Sequence, residues 1–251
     1  VVFDEVYDRI DISSNYFPDS TGVYDGPRLP ILAVKESTYE NEYMTDKLTS
    51  HAIQFMNKQS NATPFFLYLG YNAVHNPWQA EKKYYDRLSN IKDEYMRVQA
   101  SLIACADENI GILLNYLENR KLIDNTIIVF VSDNGPAKGG PELKTWEGYD
   151  PAFEYVFGQM KTLRGHKVDL YEGGIRTPMI IAYKPLLREG KVFRDMISTL
   201  DFYPTICEMT GSEIPEGTTL DGVSLVRYLR EETKQQPHDM LFWCRNNFGA
   251  A

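Results

Sequence analysis

The chain has 251 residues, 43% of them hydrophobic, which is enough to bury a sizeable core in one globular domain with at most a small annex. Its formal charge of -9 argues against broad binding to nucleic acid or to anionic membrane, though a small anionic substrate needs only a local cluster of cations. No apolar run approaches the length of a membrane span, and the opening residues lack the basic-then-apolar form of a signal peptide.

In chain order, residues 1–30 are rich in aromatic, Asp, Gly and Pro residues without periodicity and read as an irregular segment. Ser37 and Glu40 have capping-box spacing, and Met44, Leu48, Ala52 and Phe55 or Met56 then recur at helical intervals. Asn61-Ala62-Thr63 is an N-glycosylation sequon, a weak pointer to a secretory route. "PFFLYLG" (Pro64 to Gly70) is an apolar run bounded by punctuation, the form of a buried strand. The stripe Tyr95, Val98, Leu102, Cys105, Asn109, Leu113 and Leu117 predicts a long helix with Cys105 buried. "TIIVFVS" (Thr126 to Ser132) and "PMIIAY" (Pro178 to Tyr183) are apolar at consecutive positions, as in strands of a parallel sheet covered on both faces. Pro204 can open a helix that Gly211 closes, and "MLFWCR" starts a further strand. Alternating strands and amphipathic helices predict an α/β sandwich. Cys105, Cys207 and Cys244 are too few for a disulfide framework, and pairing of Cys207 with Cys244 is undetermined by sequence.

Ligands of open parallel sheets gather at the carboxyl ends of strands. Two polar loops fall at such ends, one carrying His75 and one carrying Asp133-Asn134-Gly135. Asp133 and Asn134 offer the oxygen donors that Ca²⁺ or Mg²⁺ prefers, although the same residues before a glycine also suit a plain turn. His75 can contact an oxyanion or protonate a leaving group, since imidazole titrates near neutrality; a loop histidine is the plainer alternative. "LRGHKVDLYEGGIRTP" gathers Arg164, His166, Lys167 and Arg176 around glycines. Lys167 can neutralise a sulfuryl or phosphoryl group as a compact point charge, while Arg176 can equally pair with Glu172. Gly173-Gly174 suits tight backbone packing. The loop Pro141–Phe157 holds Trp146, Tyr149 and Tyr155, which can stack on a sugar or aryl group or simply pack on their own domain. No phosphate-binding glycine loop, nucleophile elbow or paired-Cys metal site is present.

"FFLYLGYNAVHNPW", "TIIVFVSDNGP", "LRGHKVDLYEGGIRTPMII" and "STLDFYPTICEMTG", in this order and followed by "LDGVSLVRYL", resemble the sulfatase family of the alkaline-phosphatase-like superfamily. The likeness covers nearly the whole chain. It implies an α/β fold with a largely parallel central sheet flanked by helices, incomplete here at both ends. It implies hydrolysis of sulfate esters, carbohydrate or aryl, by a formylglycine nucleophile with Ca²⁺. It places Asp133 and Asn134 on the metal and Lys167 and His75 on the sulfate, with His166 and Trp146 as weaker candidates for substrate contact.

The sequence departs from the family pattern at several points. No Cys or Ser stands in the C-x-P-S-R context of the nucleophile, and the acidic pair that completes the metal site is absent. Val74 stands where a proline is common before the histidine, and Val168 where a glycine is common after the lysine. The expectation is therefore a central sulfatase portion, inactive alone, with residues 1–236 in the catalytic domain and 237–251 opening a truncated C-terminal subdomain. The resemblance further implies a secreted, periplasmic or lysosomal setting, a sulfated small molecule or glycan as partner, and neither nucleic acid nor membrane. A non-catalytic binder of anionic glycans and a phosphodiesterase or phosphonate hydrolase of the same superfamily are the alternatives.

Overall fold

The structure, a computed structural model, describes residues 32–35, 43–60, 63–75, 78–137, 162–245 and 248–250. The chain forms two compact units, Val1–Ile123 with Gly139–Tyr155 and Asp124–Lys138 with Val156–Ala251.

In the first unit, strands β1 (Leu32–Lys35) and β2 (Trp78–Glu81) run parallel, Leu32 opposite Trp78 and Lys35 opposite Glu81. Parallel neighbours need a crossover connection, and helix α1 (Met44–Lys58) lies in it. Its Met44, Ala52 and Met56 are buried on one face, as the helical spacing predicts. The Ser37–Glu40 capping box lies outside the described residues. After the short α2 (Lys82–Arg87) comes α3 (Glu94–Asn119), which starts where the Asp93 carboxylate accepts a hydrogen bond from the Met96 amide at 2.7 Å. Val98, Leu102, Cys105 and Asn109 form its buried stripe, and burying Val98 or Leu102 contributes about 1.5–3 kcal/mol each.

One expectation for this unit needs correction, and one strand was not foreseen. Pro64–Gly70 is not a strand in the described structure. Phe66 and Tyr68 are exposed, whereas Phe65 turns inward to meet Phe55 edge-on at 6.0 Å. An apolar run bounded by punctuation does not by itself specify a ladder partner, and this one has none among the described residues. The strand in this region is β2, which the sequence conceals because two of its four buried residues, Gln79 and Glu81, are polar.

In the second unit, β3 (Ile128–Val131) and β4 (Met179–Ala182) sit where the apolar runs predict strands, and they pair antiparallel, Ile128 opposite Ala182. The parallel pairing expected of these runs is therefore corrected, because continuous apolar runs carry no information on direction; parallel pairing is seen instead in β1–β2. Nor are both faces of the β3–β4 pair covered by described residues, since Phe130 and Ile180 are exposed. Helix α4 (Glu172–Ile175) precedes β4, and a 3-10 turn at Thr199–Asp201 leads into α5 (Phe202–Thr210). Helix α5 stops at Gly211, whose φ of 69° is the left-handed conformation glycine takes without strain. Helix α6 (Val226–Leu229) follows, then the antiparallel pair β5 (Trp243–Arg245) and β6 (Phe248–Ala250). Fully buried Asp201 joins these parts, accepting hydrogen bonds from the amides of Ser198 and Val223 and lying 2.9 Å from His238 Nε2. Cys207 is buried, Cys244 is exposed, and no disulfide joins them.

Candidate functional site

Strand β3 ends at Val131, and the next residues turn sharply. The Ser132 amide donates to the Pro178 carbonyl at 3.3 Å and its hydroxyl to the Asn134 carbonyl at 3.1 Å. Asp133 Oδ1 accepts from the Asn134 amide at 2.9 Å, and Asn134 Nδ2 donates to the Gly135 carbonyl at 2.9 Å. The turn expected at Asp133-Asn134-Gly135 is thus real. It uses one carboxylate oxygen and the amide nitrogen, while Asp133 Oδ2 and Asn134 Oδ1 have no hydrogen-bond partner among the described residues. Two hard oxygens from consecutive residues suit a divalent cation such as Ca²⁺, which takes roughly 6–8 oxygens, so further ligands must come from other segments.

The basic loop lies directly beside this turn. Gly135 N donates to the Gly174 carbonyl at 2.9 Å, and Lys167 N donates to the Pro136 carbonyl at 2.7 Å. The contact depends on missing side chains. A Cβ on Gly135 would lie 1.9 Å from the Gly173 carbonyl oxygen, one on Gly173 2.0 Å from that of Gly165, and one on Gly174 2.2 Å from that of Asp169. The tight packing read from Gly173-Gly174 is therefore seen, and its partners are the Asp133 turn and the Lys167 loop.

Within the loop, Asp169 N donates to the His166 carbonyl at 2.9 Å, closing a four-residue turn whose third residue, Val168, has φ 79°. That is type II geometry, which favours glycine; a β-branched residue there is strained by about 1–3 kcal/mol. Arg245, on β5, donates to the Val168 carbonyl at 2.9 Å. His166 Nδ1 is 3.8 Å from Asp169 Oδ2, Arg164 stacks 3.9 Å from the Tyr171 ring centroid, and Arg176 pairs with Glu172 at 3.0 Å. The last pair is exposed on both sides and contributes at most about 1 kcal/mol. Asp133, Asn134 and Lys167 are brought together by backbone contacts. His75 belongs to the first unit, exposed, its amide donating to the Asn72 carbonyl at 2.8 Å. Trp146 and the rest of the loop Pro141–Phe157 lie outside the described residues.

A second group of ligand-type atoms, not foreseen from sequence, sits in the first unit. Atoms of Asp46, Glu81 and Cys105 lie within 4.8 Å of one another. Lys83 Nζ is 3.1 Å from Asp46 and 3.0 Å from Glu81, and Asn109 Nδ2 donates to Asp46 at 2.6 Å. Burial, and then the charges of Asp46 and Glu81, push the Cys105 thiol up to about 12. Burial alone would lower the Lys83 ammonium; its hydrogen bonds to Glu81 and Asp46 outweigh that and raise it. A protonated thiol and a lysine already neutralising the carboxylates describe a structural network better than a metal centre.

Strands flanked by helices, with polar loops at strand ends, recur in solved structures. The structure is similar to that of Ps i-CgsB in complex with k-i-k-neocarrahexaose, with a TM-score of 0.68 and 32% identity over 80% of this chain and 41% of that one. It also shares its fold with the phosphonate monoester hydrolase of Agrobacterium radiobacter, with a TM-score of 0.62 at 18% identity over 87% of this chain and 48% of that one. The class is therefore the alkaline-phosphatase-like α/β fold. Within that class the chain belongs to the sulfatase family, whose model matches residues 2–212. It is 32% identical to the uncharacterized sulfatase YdeN of Escherichia coli over 89% of this chain and 37% of that protein. It is 30% identical to arylsulfatase J of Mus musculus over 81% of this chain and 31% of that protein. The chain thus spans about a third of the length of these relatives. Among the described residues no helix is long and apolar enough to cross a membrane.

Proposed function

We propose that this chain is the central part of a sulfuric ester hydrolase acting on carbohydrate or aryl sulfates outside the cytoplasm, in a secreted, periplasmic or lysosomal setting. On this reading residues 1–236 belong to the catalytic domain and 237–251 open a C-terminal subdomain. The observation that supports the reading is the interlock of the Asp133 turn with the Lys167 loop, whose backbones meet through Gly135 N and the Gly174 carbonyl and through Lys167 N and the Pro136 carbonyl.

Asp133 Oδ2 and Asn134 Oδ1 would hold Ca²⁺, with ligands from other segments completing the shell. An ion held there would supply positive charge that draws negative charge off the sulfate oxygens. In the resemblance a formylglycine hydrate would supply the attacking oxygen, and no Cys or Ser of this chain stands in its sequence context. Lys167 offers a compact positive charge to the sulfuryl group, stabilising the charge that grows as the ester bond breaks. His75 is proposed on chemical grounds to contact sulfate or to give a proton to the departing oxygen. His166 and Trp146 remain weaker candidates for substrate contact. The similar Ps i-CgsB structure is a complex with a neocarrahexaose, which supports a glycan as the substrate class.

Calcium binding and turnover test the proposal. Titrating Ca²⁺ into the protein should raise its melting temperature, and Asp133→Ala should abolish the rise. Lys167→Ala should weaken p-nitrophenyl sulfate binding by roughly 10-fold or more, on the scale of losing one charge-assisted hydrogen bond. The 251-residue chain alone should show no turnover, and a protein that includes the nucleophile segment should prefer p-nitrophenyl sulfate to p-nitrophenyl phosphate. Turnover by this chain alone, or a preference for the phosphate, overturns the reading.

A further inference from the structure

We infer that the Asp133 turn and the Lys167 loop open and close as one unit, so that a ligand held by either loop closes both; the inference rests on the cation and sulfate roles proposed above for these loops.

The two loops meet through backbone. Gly135, Gly173 and Gly174 are buried, and a Cβ on Gly135 would lie 1.9 Å from the Gly173 carbonyl oxygen. Two hydrogen bonds cross the contact, from Gly135 N to the Gly174 carbonyl at 2.9 Å and from Lys167 N to the Pro136 carbonyl at 2.7 Å. Each loop therefore supplies the acceptor for the other's amide. On the turn, the donor and the acceptor belong to consecutive residues, Gly135 and Pro136. On the loop, Gly174 rests directly on the backbone around Lys167. A Cβ there would stand 2.2 Å from the Asp169 carbonyl oxygen and 2.4 Å from that of His166. Both crossing bonds thus join the same two packed pieces of chain.

A contact of this kind does not open by degrees. A gap narrower than a water molecule leaves the Gly135 amide and the Pro136 carbonyl desolvated and without partners. A wider gap admits water and releases both bonds together. The loops are therefore either closed or parted, which is the two-state element that coupling between separate sites requires. A ligand that binds only the closed state lowers the open population by the factor 1 + [L]/Kd, for every bond in the unit. A divalent cation on the Asp133 and Asn134 oxygens would then hold the Lys167 backbone closed without touching it. An anion on Lys167 would do the same for the Asp133 turn, so each half of the site regulates the order of the other.

Amide hydrogen exchange in the 251-residue chain, followed by NMR, tests the coupling. Gly135 and Lys167 are the reporters, and Leu225, whose amide donates to Thr205 Oγ1 at 2.9 Å, is the control outside the unit. Enough Ca²⁺ to slow exchange at Gly135 about tenfold should slow Lys167 by the same factor and leave Leu225 unchanged. p-Nitrophenyl sulfate without Ca²⁺, at matched ionic strength, should also slow both reporters equally. Two substitutions make the test without ligand. S132A removes the hydroxyl that donates to the Asn134 carbonyl in the turn, and D169A removes the Oδ2 that accepts from His166 N in the loop. Each should speed both reporters about fivefold, the scale of one hydrogen bond.

An effect confined to the loop that was perturbed overturns the inference. A change shared by Leu225 overturns it as well, because the opening would then be global. If Ca²⁺ protects neither reporter while S132A and D169A each move both, the shared unit is supported and the cation role of Asp133 and Asn134 is refuted.

Discussion

Gly135→Ala perturbs the interlock at its tightest point. The new methyl would stand 1.9 Å from the Gly173 carbonyl oxygen, 2.9 Å from its carbon and 3.1 Å from Gly174 Cα, all of them backbone atoms. A flexible side chain could swing aside, but here one loop must retreat by more than about 1 Å to reach ordinary contact distance. That retreat stretches the Gly135 N to Gly174 carbonyl hydrogen bond, now 2.9 Å. Losing it costs about 1 kcal/mol and the overpacking about 1–3 kcal/mol, for a total of roughly 2–4 kcal/mol. For a chain of this size that corresponds to a fall in melting temperature of roughly 4–16 °C by circular dichroism. Gly111→Ala is the matched control. Gly111 lies inside α3, where a methyl meets nothing within 4 Å, so alanine should stabilise the helix by about 0.8–1 kcal/mol. Opposite signs for the same substitution are the expected result. A Gly135→Ala protein within about 0.5 kcal/mol of wild type would refute the interlock as drawn.

Further outcomes follow from the buried polar groups. Asp201→Ala leaves the Ser198 and Val223 amides and His238 without their shared acceptor and should cost about 3–5 kcal/mol in urea unfolding, with His238→Ala costing less. Because burial pushes the Cys105 thiol up to about 12, its thiolate fraction at pH 8 is on the order of 1 in 10⁴. A disulfide reagent should therefore label exposed Cys244 promptly and Cys105 only on unfolding, and prompt labelling of Cys105 would contradict its burial. The folded state holds the Cys105 proton more tightly than the unfolded state, whose thiol titrates near 9.0, so stability should be level below pH 9 and fall as pH rises from there toward 12. Burial raises Tyr71 and Tyr84 in the same direction, so they add to the alkaline loss. Melting temperatures that stay flat between pH 9 and 11 would count against it.

What the sequence revealed depended on whether burial was achieved with apolar side chains. Helix α3, strands β3 and β4, and the Gly211 stop on α5 were legible because periodicity, continuous apolar runs and a left-handed glycine are local signals. Strand β2 was not, because Gln79 and Glu81 are polar and buried, and the contact between Glu81 and Lys83 that makes this tolerable cannot be seen in a linear pattern. The Phe65–Leu69 run misled for the converse reason: its apolar residues alternate between an inner side and solvent. At the site, Asp133, Asn134 and Lys167 were legible by residue type and resemblance. The grip of Arg245 on Val168 was not, since nothing local to either residue encodes the other. The Gly173-Gly174 pair was recognised as a packing device, but its partner Gly135 becomes apparent only when the two loops are seen together.

The interlock of Gly135, Gly173 and Gly174 also governs how this protein could be recombined with its relatives. Grafting the Asp133 loop from one homologue and the Lys167 loop from another would join backbones that each grew around a different neighbour. With no room for even a methyl group between the two backbones, a small mismatch between donor and recipient has nowhere to go. Successful chimeras should move residues 132–137 and 164–178 as a single cassette, with Arg245 carried along.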